Sequence, residues 1–302
     1  MPIHLPPLTR RQFLSRSILA GAGTALGGWG CAPKALASPD LWALLADTHI
    51  DANRATMARG INMADHLIAA GGQVTRAGSL SGAIIAGDCA YLRGLPGDYT
   101  TLIGLLDPMR ASGPPIHLLL GNHDDRDNFR AAMRPAGIPA EGPLAEKHVA
   151  LIQTPHANLI LLDSLDKVNV TPGLLGDAQL AWLTATLDAH ADRPAIIVAH
   201  HNLELAGGKS GLQDTAALID ALAPRKHVKA YVYGHSHVWG LTRHECGIHL
   251  INLPPVAYVF KEGRISGWVL MALADRGATL TLRSLDGMHP DEGKTFDLEW
   301  RG

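Results

Sequence analysis

The sequence predicts an α/β protein in which two packed sheets are covered by helices. Short apolar runs alternate with helical patterns along most of the 302 residues, which is typical of layered α/β folds. Five of these apolar runs end in a polar motif. The last part of the chain has two adjacent strand patterns with no helix between them. Hydrophobic residues make up 47% and charged residues 18% of the chain, a composition that favours buried sheets over disorder or a coiled coil.

The predicted strands are short and almost free of charges, as expected of strands buried on both faces. Those that precede polar motifs span residues 41–46, 83–86, 116–120, 195–199 and 229–233. Open α/β sheets bind ligands beyond the carboxyl ends of their strands. The polar motifs are therefore expected to meet at one edge of the sheets.

Two helices are predicted between these strands, at residues 98–110 and 177–190. In the second helix, Asp177 suits the N-cap or the first turn, and three leucines at i, i+3 and i+7 form an apolar face. Residues 265–273 and 278–284 are predicted to pair as an antiparallel hairpin. The hairpin adds strands without helices and so completes the two-sheet arrangement.

The first 37 residues have the features of an exported leader. Arg10 and Arg11 precede Phe13 and Leu14, a mildly apolar stretch follows, and Ala35-Leu36-Ala37 offers a cleavage site. The arginine pair resembles a bacterial twin-arginine signal. It implies a twin-arginine translocase as partner during export, and a periplasmic or secreted location for the mature protein.

The chain is therefore divided into a twin-arginine signal peptide at residues 1–37 and one folded domain at residues 38–302. Two alternatives stay open at the N-terminus. One is a basic segment that is never removed, and the other is a lipid-bearing Cys31, for which residues 28–30 are a poor lead-in. No run after residue 40 is apolar enough, over a sufficient length, to span a bilayer.

Charge and cysteine content restrict the possible partners. The leader contains four basic residues and no acidic one, so 22 of the 26 basic residues stay beside 28 acidic residues after cleavage. This balance argues against a nucleic-acid scaffold, which would present a basic face. Cys89 and Cys246 also stay in the mature chain. We expect them to be unpaired, although an oxidising compartment permits a disulfide between them.

Five short motifs, each following an apolar run, carry the functional information. All of them contain His, Asp or Asn, which are residue types that ligate metal ions. In order they are Asp47-Thr48-His49, Gly87-Asp88, Gly121-Asn122-His123-Asp124, Ala199-His200-His201 and Gly234-His235-Ser236-His237. Each motif is weak alone. In series they supply ligands for two adjacent ions and one histidine that ligation does not use.

The residue types indicate which ions suit the motifs. Asp47 and His49 point the same way if the strand continues through them. Asp88 offers a carboxylate that can bridge two ions, and Asn122 offers a neutral oxygen. Imidazole combined with carboxylate suits Fe, Mn or Zn better than Mg or Ca. The remaining candidate ligands are His200, His235 and His237.

Two such ions match the needs of phosphoester cleavage. Their charge exceeds that of the two aspartates, and the remainder attracts an anionic phosphate ester. At about 3.5–4 Å apart, two ions can clamp phosphoryl oxygens and generate hydroxide at neutral pH for in-line attack. His123 can donate a proton to the departing alkoxide, and Asp124 can orient or charge His123.

The motif series resembles the calcineurin-like metallophosphoesterases over roughly residues 44–255. This resemblance implies a four-layer α/β/β/α sandwich with two mixed central sheets, formed by a catalytic domain at residues 38–302. It also implies that His123 is the general acid. The implied first metal site consists of Asp47, His49, Asp88 and His237, and the second of Asp88, Asn122, His200 and His235.

Two further stretches are similar to the class III branch of that family, which contains cyclic-nucleotide and glycerophosphodiester phosphodiesterases. They are residues 121–130 and residues 162–183. The chain departs from the branch at Asn202-Leu203, where two prolines commonly follow the paired histidines. Because this loop borders the expected substrate pocket, the substrate class stays open.

We therefore predict an exported dimetal enzyme that hydrolyses a small-molecule phosphodiester. A phosphomonoesterase or nucleotidase on the same metals is the alternative. A non-catalytic scaffold would require lost ligands, and none is missing from the motifs. Four residues near the motifs could serve either the substrate or the structure. His201 could line the pocket or support a metal ligand, and Arg126 could bind a phosphate or form an ion pair. Tyr91 and Trp239 could stack on a base or simply pack. The oligomeric state stays open.

Overall fold

The computed structural model describes residues 40–302. The expected signal peptide, including its arginine pair and Cys31, lies outside these residues. Within residues 40–302, the helices are too short or too polar to cross a membrane.

The described residues form strands and helices in alternation. In chain order the strands are β1 (Asp40–Leu45), β2 (Met57–Ala58), β3 (Ile61–Asn62), β4 (Gly82–Ile85), β5 (Ile116–Leu118), β6 (Ala150–Gln153), β7 (Asn158–Leu161), β8 (Ala195–Val198), β9 (Val228–Tyr233), β10 (Gly240–Arg243), β11 (His249–Asn252), β12 (Gly267–Ala274), β13 (Gly277–Ser284) and β14 (Thr295–Glu299). The helices are α1 (Met63–Arg76), α2 (Pro96–Ala111), α3 (Arg126–Met133), α4 (Asp177–Ala189) and α5 (Thr215–Leu222).

Twelve of the strands form two six-stranded sheets. The first has the order β14-β13-β12-β1-β4-β5, and the second has the order β10-β11-β9-β8-β7-β6. Both are mixed: β1, β4 and β5 run parallel in the first, as β7, β8, β9 and β11 do in the second, and antiparallel strands flank them. The five strands that precede the polar motifs, β1, β4, β5, β8 and β9, are all among these parallel strands.

The core confirms the four-layer α/β/β/α sandwich. Successive residues of β1 face opposite sides: Leu45 packs with the helices α1, α2 and α3, whereas Leu44 packs between the two sheets. In β8, Ile196 joins the same central layer, and Ile197 packs against α4 and α5. This alternation is the two-residue period of a strand that is buried on both faces.

The elements predicted from the sequence are present with small shifts at their ends. The five strands before motifs, both helices and the C-terminal hairpin are confirmed, with β12 and β13 paired antiparallel. Asp177 lies in the first turn of α4, because Gly176 is the N-cap residue. Helix α3 begins directly after the third motif, where the Asp125 side chain accepts a hydrogen bond from the Asn128 N–H.

Candidate metal centre

The five motifs converge at one edge of the sandwich. Asp47 and His49 follow β1, Asp88 follows β4, and Asn122 follows β5, all in the first sheet. The other histidines follow β8 and β9 in the second sheet. Since the carboxyl ends of these parallel strands meet at the same edge, side chains from both sheets face one cavity.

The backbone at the first motif differs from the continuing strand that would align Asp47 with His49. Strand β1 ends at Leu45, and Asp47 and His49 have φ angles of 55° and 47°. Their N–H groups are held by the carbonyls of Gly87 and Asp88. The two side chains therefore meet through left-handed turns and not through strand alternation.

Left-handed backbone recurs at the other ligand positions. Asp88, His235 and His237 have φ angles of 48°, 67° and 53°. A residue other than glycine in such a conformation costs about 1–3 kcal/mol, and such strain clusters at functional sites. The surrounding sheets hold these residues in place.

Two motif glycines permit close approach of the aspartates. A Cβ atom on Gly121 would lie 2.8 Å from Cγ of Asp88, and one on Gly234 would lie 2.7 Å from Cβ of Ala46 and closer still to Asp47. Any larger residue at either position would displace a candidate ligand.

One group of ligand atoms surrounds the end of β1. The Nε2 atoms of His49 and His237 lie 3.0 Å apart, and Nε2 of His237 is 3.4 Å from Oδ1 of Asp47. These three side chains are buried and each offers one ligand atom within 4.8 Å of the others.

A second group surrounds Asp88. Its Oδ2 atom is 3.3 Å from Nε2 of His200 and 3.7 Å from Nε2 of His49. Nδ1 of His235 lies 3.2 Å from Nε2 of His200. Asp88 thus contacts histidines of both groups, which is the position that a bridging carboxylate requires.

Backbone carbonyls fix the proton positions of three histidines, because a carbonyl oxygen can only accept. His200 donates from Nδ1 to Ala86, and His237 donates from Nδ1 to Tyr258. His235 is reversed and donates from Nε2 to the Ser210 carbonyl. In neutral rings, the lone pairs are then on Nε2 of His200 and His237 and on Nδ1 of His235. Metal-ligating histidines are held in this way in most sites.

The residues fit a pair of bound cations. In the neutral rings the lone pairs of His200 and His235 face each other, so a proton or a metal ion between them is favourable. The Oδ1 atom of Asn122 is buried without a hydrogen-bond partner, which is costly unless another group satisfies it. Burial favours a lower pKa of His200, but the Asp88 and Asp47 carboxylates raise that pKa to about 9. The two carboxylates thus favour positive charge at His200.

Asp124 does not orient His123, which corrects the expectation from the sequence. Its buried carboxylate accepts hydrogen bonds from the N–H groups of Gly121, Cys89 and Ala90 and from the Tyr99 hydroxyl. These partners join the second and third motif loops. Asp124 is therefore a residue that holds the loops together, and its hydrogen-bond partners do not include His123.

His123 lines the cavity and is held by a different group. Its Nδ1 donates to the Leu92 carbonyl at 2.9 Å, and its backbone N–H donates to Oδ1 of Asp88. Nε2 of His123 is the ring nitrogen left available. Leu92 has a φ of 62°, and no pattern in the sequence marks its carbonyl as a partner.

The cavity beside these groups has a volume of about 400 Å³. Its lining is polar near the metal ligands and aromatic at one side. Among the described residues, neither lysine nor arginine belongs to this lining. The lining residues are His49, Asp88, Asn122, His123, Thr171, Asn202, Ser210, His235, Ser236, His237, Tyr258 and Phe260.

The aromatic side of the cavity was missed by motif analysis. Phe260 stacks on His237 with ring centroids 4.2 Å apart, and Tyr258 stacks on His49 at 5.3 Å. The Arg59 guanidinium lies over both rings, 4.9 Å from the Phe260 centroid. These residues come from segments without a ligand motif, so only tertiary structure brings them to the site.

The four residues with competing roles are largely structural. Arg126 forms a bidentate ion pair with buried Asp163, with Nε and one terminal guanidinium nitrogen 2.6 Å and 3.0 Å from the carboxylate oxygens. The ion-pair interpretation from the sequence predicted this contact. Both ring nitrogens of His201 are hydrogen-bonded, to Ser164 and Thr171. Tyr91 and Trp239 pack against the core clusters.

Among the described residues, Cys89 and Cys246 are unpaired, as expected. The Cys89 thiol is buried and hydrogen-bonds to the Leu119 carbonyl, and Cys246 is partly buried. Burial raises the pKa of Cys89 well above its usual range, which disfavours a reactive thiolate.

Comparison with known proteins identifies the motif series. The family model described as calcineurin-like phosphoesterase matches residues 43–239. The chain is 26% identical over 223 residues to the 3',5'-cyclic adenosine monophosphate phosphodiesterase CpdA of Pseudomonas aeruginosa, covering 72% of this chain and 77% of the relative.

Two further comparisons extend this result. A cAMP/cGMP dual specificity phosphodiesterase of Mycobacterium tuberculosis is 30% identical over 200 residues, covering 64% of this chain and 60% of that protein. A dimetal phosphatase from Danio rerio superposes with a TM-score of 0.69 at 16% identity, over 87% of this chain and 100% of that structure. The last likeness concerns the fold alone.

Proposed function

Since this chain belongs to the calcineurin-like phosphoesterase family and is a metal-dependent phosphoester hydrolase, we propose that its substrates are small-molecule phosphodiesters. The proposal also covers the division of the chain into a leader at residues 1–37 and a catalytic domain at residues 38–302. A phosphomonoesterase or nucleotidase activity at the same site is the alternative.

Two ions of Fe, Mn or Zn would be held by the converged side chains. The first would contact Asp47, His49, Asp88 and His237, and the second Asp88, Asn122, His200 and His235. When bound, the two ions supply Lewis acidity and a hydroxide nucleophile at neutral pH. The protein residues contribute rigid positioning, because their backbone turns and histidine tautomers are set before any ligand binds.

His123 is proposed as the general acid. Its Nδ1–H is bound to the Leu92 carbonyl, so in the protonated ring the second proton is on Nε2 at the cavity. From there it can be donated to the alkoxide that leaves the phosphorus. The hydrogen bond to Leu92 holds the ring in that orientation.

The observation that carries the diester assignment is the absence of a cationic side chain from the cavity lining in the described chain. A monoester dianion benefits from donors beyond two metal ions, whereas a diester monoanion has one negative charge fewer. Arg126 cannot serve as that donor because it is paired with Asp163. The nearest aromatic side chains offer contact area for a second ester substituent.

Cyclic nucleotides are the first substrates to test, with glycerophosphodiesters as the alternative. The names of the relatives support this order, and so does an exposed aromatic ring, Phe260, which is 53% exposed at the cavity. The exposed part of an aromatic ring offers apolar contact area to a nucleobase. Asn202 lines the cavity at a position where the class III branch commonly has a proline, so the preference between the two kinds of diester has to be measured for this chain.

Export of the mature enzyme is part of the same proposal. Arg10 and Arg11 precede a weakly apolar stretch and an alanine-rich cleavage site. A twin-arginine translocase carries folded proteins. Metal ions bound in the cytoplasm would therefore already occupy the site when the enzyme leaves that compartment.

The test is the ratio of kcat/KM values for bis-nitrophenyl phosphate and nitrophenyl phosphate on one metal-loaded sample. A higher value for the diester is expected. Cyclic nucleotides and glycerophosphodiesters are then compared under the same conditions. A clear preference for the monoester would move the protein to the phosphomonoesterase class. Asp88→Asn serves as the control for contaminating activity.

A further inference from the structure

A carboxylate closes the loop that borders the metal cavity. The Glu204 side chain accepts hydrogen bonds from the N–H groups of Ser210, at 3.1 Å, and Gly211, at 2.8 Å. We call this pair of bonds the Glu204 clasp. It encloses residues 205–209, which have no hydrogen-bonded strand or helix of their own.

The clasp is built into the surrounding fold. The backbone N–H of Glu204 donates to Oγ1 of Thr215 at 2.9 Å, and Leu203 bridges Leu212 at the base of the loop. Gly208 lies against the carboxylate: a Cβ atom there would be 2.8 Å from Cδ of Glu204 and closer to one of its oxygens. A glycine at this position therefore permits the clasp to close.

The clasp ends at a metal-site histidine. Ser210, whose N–H is held by Glu204, accepts a hydrogen bond from Nε2 of His235 through its carbonyl at 2.9 Å. That bond leaves Nδ1 of His235 as the atom facing His200, 3.2 Å from its Nε2. His200 and His237 present Nε2 instead.

His235 depends on weaker support than His200. The carbonyl that holds His200 belongs to Ala86, which is fully buried directly after β4. Ser210 is exposed and lies in a loop with two glycines, which lose much conformational freedom on ordering. A backbone carbonyl in such a loop keeps its position only if other contacts fix it, and Glu204 supplies them.

We propose that Glu204 is a positioning residue that fixes the Ser210 carbonyl and thereby sets His235 to bind the second metal through Nδ1. The proposal rests on the dimetal centre of the proposed function.

Two variants break the clasp from opposite sides. Glu204→Ala removes the carboxylate, and Gly208→Ala pushes it away while keeping it in the chain. Glu245→Gln is the matched control, because Glu245 faces the same surface groove as Glu204 and is outside the clasp. Each full-length protein is titrated with Mn²⁺ by calorimetry, and hydrogen exchange is measured at the Ser210 and Gly211 amides.

Faster exchange at both amides is expected in the two clasp variants but not in Glu245→Gln. One of the two Mn²⁺ ions should bind about tenfold more weakly, the lower end of the loss seen when a partner of a ligating histidine is removed. The other ion should keep its affinity. Long-range proton–nitrogen NMR correlations should show that His235 no longer exists only as the tautomer with its proton on Nε2 and its lone pair on Nδ1.

Unchanged affinity for both ions, with lost amide protection, would overturn the positioning role. Retained amide protection in both variants would show that the clasp is not formed in solution. Neither readout needs turnover. If the parent protein is inactive on diesters but the clasp variants bind one ion more weakly, the proposed function is contradicted and the positioning role of Glu204 is supported.

Discussion

The Oδ2 atom of Asp88 lies 3.3 Å from Nε2 of His200. The same oxygen is within 3.7 Å of His49, which belongs to the other ligand group. Attraction to His200 and His49 outweighs burial and holds the pKa of Asp88 well below its usual range. One ionised carboxylate thus faces both groups of metal ligands.

Asp88→Ala is therefore expected to lose both metal ions, whereas Asp47→Ala should lose mainly one. Among the histidine rings, those that form ion-pair contacts with the Asp47 carboxylate are His237 and His49. Elemental analysis of the two purified variants, loaded under the same conditions, measures the difference. Loss of a single ion to the same extent in both variants would contradict the bridging role of Asp88.

His123→Ala is expected to keep its metals and to lose about 10²–10⁴-fold in kcat on alkyl diesters. An alkoxide needs the proton in the transition state, and a nitrophenolate hardly does, so the loss on nitrophenyl esters should be smaller. Elemental analysis and kinetics on the two ester types are the measurements. An equal loss on both, with the metals retained, is incompatible with a general acid.

Arg126→Ala is expected to lower the free energy of unfolding by about 3 kcal/mol, because it leaves the buried Asp163 carboxylate without its cation. Asp163 also accepts bonds from the His148 and Leu165 N–H groups, which stay in place. Denaturant unfolding measures the loss, and Arg130→Ala is a control on the same helix. If stability were kept and KM rose sharply, Arg126 would bind substrate phosphate.

Replacement of Arg10 and Arg11 by lysine is expected to stop the appearance of the mature protein outside the cytoplasm. The twin-arginine signal depends on the guanidinium pair, which lysine does not reproduce. Cell fractionation with immunodetection measures the distribution, and a Lys34→Arg variant controls for charge changes elsewhere in the leader. Undiminished export of the doubly substituted chain would remove the twin-arginine assignment.

Local sequence patterns determined the framework of this protein. Apolar runs of four to six residues specify buried strands, since their length and lack of charge leave few other folded states. Polar residues that directly follow such runs must lie at the ends of the strands. The alternation of strands and helices, followed by a β-rich tail, was therefore enough to predict two packed sheets with candidate ligands Asp47 to His237 along one edge.

Tertiary structure decided how the side chains within that edge are used. Asp124 lies one position after His123, yet its partners are amides of Gly121, Cys89 and Ala90, two of them from another motif loop. Adjacency in sequence does not determine which groups a buried carboxylate contacts. The left-handed turn at Asp47 was likewise hidden, because the residue type tolerates both extended and turned backbone.

The partners that hold the histidines were beyond any sequence pattern. The carbonyls of Leu92, Ser210 and Tyr258 are backbone groups, and every residue has the same backbone carbonyl whatever its side chain. Which one meets His123, His235 or His237 depends on loop paths set by packing of distant strands. The sequence alone thus specified which side chains form the centre, and only the fold decided which nitrogen of each histidine faces it.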